Sequence, residues 1–175
     1  HCQCRRQRQM CIRDRIGIPF SDPIAEGKTI QRSSSVALKN GVTIDSTLKT
    51  ISEINEYNKD TPIISMGYYN PIIKIGLDNF FSGCKQSGVN GVIIADIPNT
   101  ELEIIQNTAN KYQIETIPLV PLNASDITVE HACKIGQGFI YCVSVLGVTG
   151  TREKLSKDLS KKVNQVNNFS EIPVA

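Results

Sequence analysis

The chain has 175 residues, 40% of them hydrophobic, enough for one ordinary domain with a normal core. Its formal net charge of +2 conceals a split: residues 1–15 carry Arg5, Arg6, Arg8, Arg13 and Arg15 against Asp14, a net of +4, and the remainder nets −2. The body therefore offers no basic nucleic-acid surface, and its apolar runs, about four to six residues long, are too short for a membrane span.

Residues 1–15 differ from the rest. Gln, Arg and Cys dominate, apolar periodicity is absent, and Cys2, Cys4 and Cys11 with His1 match no recognised zinc spacing. The change at Ile16 is abrupt, so this segment is expected to be a disordered, non-native lead-in, with the domain proper covering 16–175. No metal site is expected anywhere.

The apolar run Ile16–Phe20 reads as a strand that stops in a Pro-stiffened loop, Ser21-Asp22-Pro23-Ile24-Ala25-Glu26-Gly27. Two carboxylates, Asp22 and Glu26, lie just past the strand end, where an α/β barrel keeps its chemistry. They also fit ordinary turn acids. A short helix is expected over Thr29–Asn40, with Gly41 ending it. A longer one follows, with Ile44, Leu48, Ile51 and Ile54 on one face. Thr61–Met66 reads as a strand running into the turn-rich loop Gly67-Tyr68-Tyr69-Asn70-Pro71. The next helix carries Leu77, Phe80, Phe81 and Cys84 on a stripe and is closed by Gly88–Gly91.

Val92–Ala95 is a continuous apolar strand of the kind buried on both faces of a parallel sheet, and it ends in Asp96-Ile97-Pro98. Leu102, Ile105, Ala109 and Tyr112 mark another helix. Thr116–Val120 reads as a strand with the loop Pro121–Ala124, and a helix follows around Ile127–Ile135. Gly138–Ser144 is the next strand, with the loop 145–151. Leu155, Leu159, Val163 and Val166 are spaced for one helix face, and Ile172–Ala175 opens a further strand. His131 has no acid close in sequence and reads as structural. Cys84, Cys133 and Cys142 sit in apolar patterns as reduced, mostly buried thiols, which predicts a cytoplasmic protein. Strand and helix alternate five times with a sixth strand beginning, the pattern of a parallel α/β fold. These local signals leave an open doubly wound sheet and a closed barrel equally available.

The stretch Ile16-Gly17-Ile18-Pro19-Phe20-Ser21-Asp22-Pro23-Ile24-Ala25-Glu26-Gly27 resembles the signature of the tryptophan synthase alpha subunit family. The resemblance extends in order through 61–71, 91–98, Pro121–Ala124 and 138–150. It implies a partial (β/α)8 TIM barrel containing strands two to six of eight. Five strands and a stub do not close a barrel, so the chain alone is expected to be poorly soluble or partly unfolded. The implied activity is the retro-aldol cleavage of indole-3-glycerol phosphate to indole and glyceraldehyde 3-phosphate. This lyase reaction belongs to tryptophan biosynthesis and needs no cofactor in this chain. The implied partner is a pyridoxal-phosphate-containing beta subunit in an α2β2 heterotetramer.

Residue by residue, the resemblance makes Glu26 the carboxylate that stabilises positive charge developing toward the indole nitrogen. It is usually Asp, and Glu is longer by about 1.5 Å. The family's other catalytic acid, a Glu two residues before the strand Gly, falls on Arg15, which stays protonated and takes no such role. Thr149 is implied to bond the Glu26 carboxylate on closure, and the Gly150 amide to contact phosphate. Tyr68, Met66, Ile93, Leu119 and Tyr141 resemble the indole pocket lining, with plain barrel core as the alternative. Asp96 either orients substrate or a loop, or caps a turn. Asp22, Pro23, Asn70 and Pro98 are implied to face the beta subunit. The rival readings are a non-catalytic alpha-like subunit that binds and activates a beta subunit, and a different phosphosugar-binding barrel.

Overall fold

The computed structural model describes residues 15–57, 59–143 and 152–175, with side chains of the last segment from residue 158 onward. The expected lead-in through Asp14, and with it Cys2, Cys4 and Cys11, lies outside these residues, as do Thr149 and Gly150. Arg15, the last residue assigned to the lead-in, is the first residue of a strand.

The elements in order are β1 (Arg15–Gly17), α1 (Lys28–Lys39), α2 (Ile44–Tyr57), β2 (Ile63–Gly67), α3 (Tyr69–Ile75) and α4 (Leu77–Ser87). There follow β3 (Val89–Ile94), α5 (Asn99–Lys111), β4 (Glu115–Thr116), β5 (Leu119–Pro121), α6 (Asp126–Ile135), β6 (Tyr141–Val143) and α7 (Arg152–Phe169). All strand pairs are parallel: β1-β2-β3-β4 form one sheet and β5-β6 another. Ile140 bridges to Val174, so the expected strand after α7 does lie beside β6.

One element departs from expectation in an instructive way. The strand read as Thr116–Val120 is two strands, because Pro118 has no N–H to give to a ladder. Ile117 N–H still reaches Val92 O at 3.0 Å, and Pro118 O accepts from Tyr141 N–H at 3.0 Å. The segment thus hands the sheet from β3 on one side to β6 on the other. Other differences are smaller. Tyr69–Pro71, read as loop, forms the first turn of α3, where Pro is tolerated because that N–H has no helical partner. Gly88 does end α4 in the left-handed region (φ 83°), but Val89–Gly91 already belong to β3.

The strands have two faces with separate cores, as a period of two requires. The outer face meets the helices. There Ile63, Val92 and Ile94 pack with Leu48, Ile51, Ile72, Phe80, Phe81, Cys84, Ile105 and Ala109. Neighbouring helices pack in chain order, α4 on α2, α5 on α4, α6 on α5 and α7 on α6. A second outer cluster joins Val120, Val129, Ala132, Ile140, Cys142 and Val166, with Leu159 and Val163 beside it as their spacing predicts. The inner face carries Ile64, Ile93, Ile117 and Phe139, with Met66, Leu119, Tyr141 and Ala175 packed against them. The wall curves: the Arg15 guanidinium of β1 lies 4.9 Å from the Tyr141 ring of β6. This is an arc of a barrel, with the βα loops gathered at one end.

The thiols of Cys84, Cys133 and Cys142 are free, and burial pushes Cys84 up to about 12 and Cys142 to about 11. No helix among the described residues is long and apolar enough to cross a membrane. Nor do three or more His, Cys, Asp or Glu side chains gather as a metal-binding group among them.

Candidate active site

The loop after β1 folds on itself through short backbone bonds, Ile24 N–H to Asp22 O at 2.9 Å and Glu26 N–H to Pro23 O at 3.1 Å. These bonds turn the chain so that Glu26 sits half-buried while Asp22 stays exposed. Gln31 of α1 donates its side-chain amide to Glu26 O at 2.9 Å, tying the loop's end to the helix.

Tyr68 anchors the loop from the neighbouring strand. It follows β2 directly, so its side chain continues the inner-face series Ile64, Met66, Tyr68. The ring is buried, 4% exposed, and stacks on Phe20 with centroids 5.1 Å apart. Its hydroxyl oxygen accepts the Ala25 N–H at 3.2 Å. Burial pushes the phenol up to about 12. The Ala25 N–H opposes the shift, while the negative charges of Glu26, Asp96 and Asp22 add to it. The phenol therefore stays protonated at neutral pH.

Asp96, after β3, is exposed, but its Oδ1 accepts the Tyr69 N–H at 2.8 Å. That donor is the first N–H of α3, which has no intrahelical partner. The carboxylate thus fixes the start of one loop's helix from the next loop, one of the roles open to it from the sequence. Asn99, at the start of α5, ties that helix to β5 by donating its side-chain amide to Leu119 O at 3.2 Å.

Met66, Ile93, Leu119 and Tyr141 come together in the inner cluster. Ile93 is fully buried, and the other three are partly exposed. Asp22 and Pro23 lie on the loop after β1, Asn70 in the first turn of α3 after β2, and Pro98 just before α5 after β3, with Pro23 half-buried and the others exposed. Phe20, Ala25 and Phe139 were not singled out from the sequence. The i, i+2 alternation of Phe139 with Tyr141 was a legible sign for one of them. The stacking of Phe20 and the Ala25 N–H contact had no local signal. His131 does have an acid: Glu103 of α5 lies 3.0 Å from its Nε2, brought across by helix packing.

Three comparisons agree with this geometry. The family model described as tryptophan synthase alpha chain matches residues 14–175. The tryptophan synthase alpha chain of Petrotoga mobilis is 41% identical over 160 residues, covering 91% of this chain and 62% of its own length. The tryptophan synthase of Saccharomyces cerevisiae is 40% identical over 155 residues, covering 89% of this chain and 22% of its own length. The chain thus spans less than two thirds of these curated relatives. Among solved structures, one of the tryptophan synthase a2b2 complex from Pyrococcus furiosus superimposes with a TM-score of 0.84 at 36% identity, covering 91% of this chain and 64% of that one. Sequence, strand order and the loop-end cluster lead to one family, and the chain belongs to the tryptophan synthase alpha chain family.

Proposed function

We propose that the protein containing this chain cleaves indole-3-glycerol phosphate to indole and glyceraldehyde 3-phosphate. The observation that carries this reading is the placement of Glu26. Its loop is tied through Ala25 to Tyr68, whose strand also delivers Met66 to the apolar cluster with Ile93, Leu119 and Tyr141. A flat apolar ring fits such a lining. In the reaction the indole C3 gains a proton, the bond from C3 to the glycerol chain breaks, and the adjacent hydroxyl loses its proton as the aldehyde forms. The Glu26 carboxylate accepts the indole N–H and stabilises the positive charge that C3 protonation creates.

Thr149 is assigned to bond Glu26 on closure and the Gly150 amide to hold phosphate, and both lie outside the described residues. Asp22, Pro23, Asn70 and Pro98 form the face toward a beta subunit in an α2β2 assembly, where pyridoxal phosphate belongs to the beta subunit and this chain needs no cofactor. The protein is assigned to the cytoplasm.

The proton-transferring acid falls on Arg15, and we assign residues 1–15 as a non-native lead-in that overwrote it. The test compares two full-length proteins that differ only at position 15, one with Arg and one with Arg15→Glu. Indole release should rise by about 100-fold or more, as general acid–base catalysis supplies, and Glu26→Gln in that background should remove the gain. Substrate binding without turnover in Arg15→Glu would refute this reading. It would favour a non-catalytic subunit that binds and activates the beta chain. The observation favouring that second reading is the Arg15 guanidinium, 4.9 Å from the Tyr141 ring in the proposed pocket.

A further inference from the structure

We propose that Tyr68 is the positioning residue of the carboxylate loop, setting the place of Glu26 through the Ala25 N–H. The inference deepens the lyase reading above and rests on it for the kinetic part only.

Three observations converge on Tyr68. First, the loop 21–27 is tied to α1 at its far end by the Gln31 amide on Glu26 O, but its middle is short of anchors. Ile24, Ala25 and Asp22 are exposed, and no side chain caps the following helix at Gly27. Its internal bonds, Ile24 to Asp22 and Glu26 to Pro23, shape the turn without attaching it to the barrel. Second, the attachment that the barrel supplies is aromatic and polar together. Phe20 stacks on the Tyr68 ring, and the Tyr68 hydroxyl takes the N–H of the residue next to Glu26. A buried ring has few rotamers to lose, so its oxygen is a stiff acceptor. Third, Tyr68 is itself held from both sides. On one side Gly67 O accepts the Ala95 N–H at 2.9 Å, and on the other Asp96 Oδ1 accepts the Tyr69 N–H at 2.8 Å. The third βα loop therefore fixes the second, and the second fixes the first.

Charge decides what kind of bond this is. Burial, with smaller contributions from the negative charges of Glu26, Asp96 and Asp22, pushes the phenol up to about 12. A neutral phenol oxygen accepts the Ala25 N–H throughout the working pH range without repelling Glu26. A carboxylate in its place would add a further negative charge beside that side chain. Tyr68 is thus suited to hold an anionic group near by, and Phe in its place keeps the stack and loses only the acceptor.

The test is Tyr68→Phe, read by amide hydrogen exchange and by steady-state kinetics. In the full-length protein, Ala25 exchange should quicken by about tenfold, the effect of losing one hydrogen bond, while Ile93 and Ala95 amides of the same molecule stay unchanged. In the full-length Arg15→Glu background, kcat should fall about tenfold with KM within about threefold. Unchanged Ala25 exchange overturns the proposal. So does a uniform quickening of Ala25, Ile93 and Ala95 together, since that marks Tyr68 as a fold residue only. If the Arg15→Glu background is inert, the lyase reading has failed, and the exchange comparison still decides the role of Tyr68. Should Tyr68→Phe not fold, Asp96→Asn supplies the second variant. It weakens the Tyr69 contact and should quicken Ala25 exchange by a smaller factor. No change at Ala25 in a folded Asp96→Asn chain overturns the proposal.

Discussion

Gly91 tests the inner layer of the barrel arc most sharply. It lies on β3 two residues before Ile93 and so faces the same interior. A Cβ added there would come within 2.8 Å of Ile117 Cδ1, 3.0 Å of Ile64 Cδ1 and 3.2 Å of the Glu115 carbonyl oxygen. The two methyl ends belong to side chains that are essentially fully buried, and the carbonyl belongs to the β3–β4 ladder. Overpacking of this kind costs about 1–3 kcal/mol. Ala in place of Gly in a strand returns about 0.5–1 kcal/mol. Gly91→Ala should therefore destabilise by about 1 kcal/mol and at most about 2.5 kcal/mol, lowering Tm by up to about 10 °C for a chain of this size.

The nearest colliding atom is Ile117 Cδ1. Ile117→Val deletes the nearest colliding methyl and should by itself cost about 0.5–1.5 kcal/mol. Added to Gly91→Ala, it should cost less than that sum by at least about 0.5 kcal/mol, because the collision is then relieved. The four proteins of this double-mutant cycle can be compared by urea denaturation. A Gly91→Ala chain more stable than wild type, or strictly additive effects in the cycle, would refute a filled interior at this layer.

Glu115 should give the protein a pH-dependent stability. A Cβ at Gly138 would overlap its carboxylate, and desolvation raises its pKa. The protonated form is favoured by folding, so its contribution is present below the ordinary glutamate range, about pH 4, and is lost as pH rises through the raised value. Glu115→Gln should flatten that part of the stability–pH profile; an unchanged slope in urea titrations would contradict the assignment. Ser65 Oγ is buried without a hydrogen-bond partner among the described residues. Ser65→Ala should stabilise by about 1 kcal/mol, seen as a raised urea midpoint, and a lowered midpoint would mean that the hydroxyl is satisfied. Asp96→Ala leaves the first N–H of α3 without its acceptor and should cost about 1 kcal/mol, as cap removal does. No loss of stability would show that solvent replaces the carboxylate.

The alternation of elements was readable because each obeys a local rule. Phe80, Phe81 and Cys84 recur at helical spacing, Val92–Ile94 is apolar on both faces, and Gly88 stops α4 where only a left-handed residue continues the chain. The signature around Asp22 and Glu26 was legible for the same reason, since it is contiguous. Pro118 was visible, but its effect was not. Whether a proline inside an apolar run ends a strand or switches its partner depends on the neighbours available, here Val92 on one side and Tyr141 on the other. Curvature into a barrel arc was likewise beyond local signals, because it depends on twist accumulated from strand to strand. The Ala25–Tyr68 bond joins residues 43 apart, and the Asp96–Tyr69 bond joins residues 27 apart. Periodicity places an acid or a phenol at a strand end. Which N–H it meets is set by how adjacent parallel strands align their loops, and only the packed sheet determines that alignment.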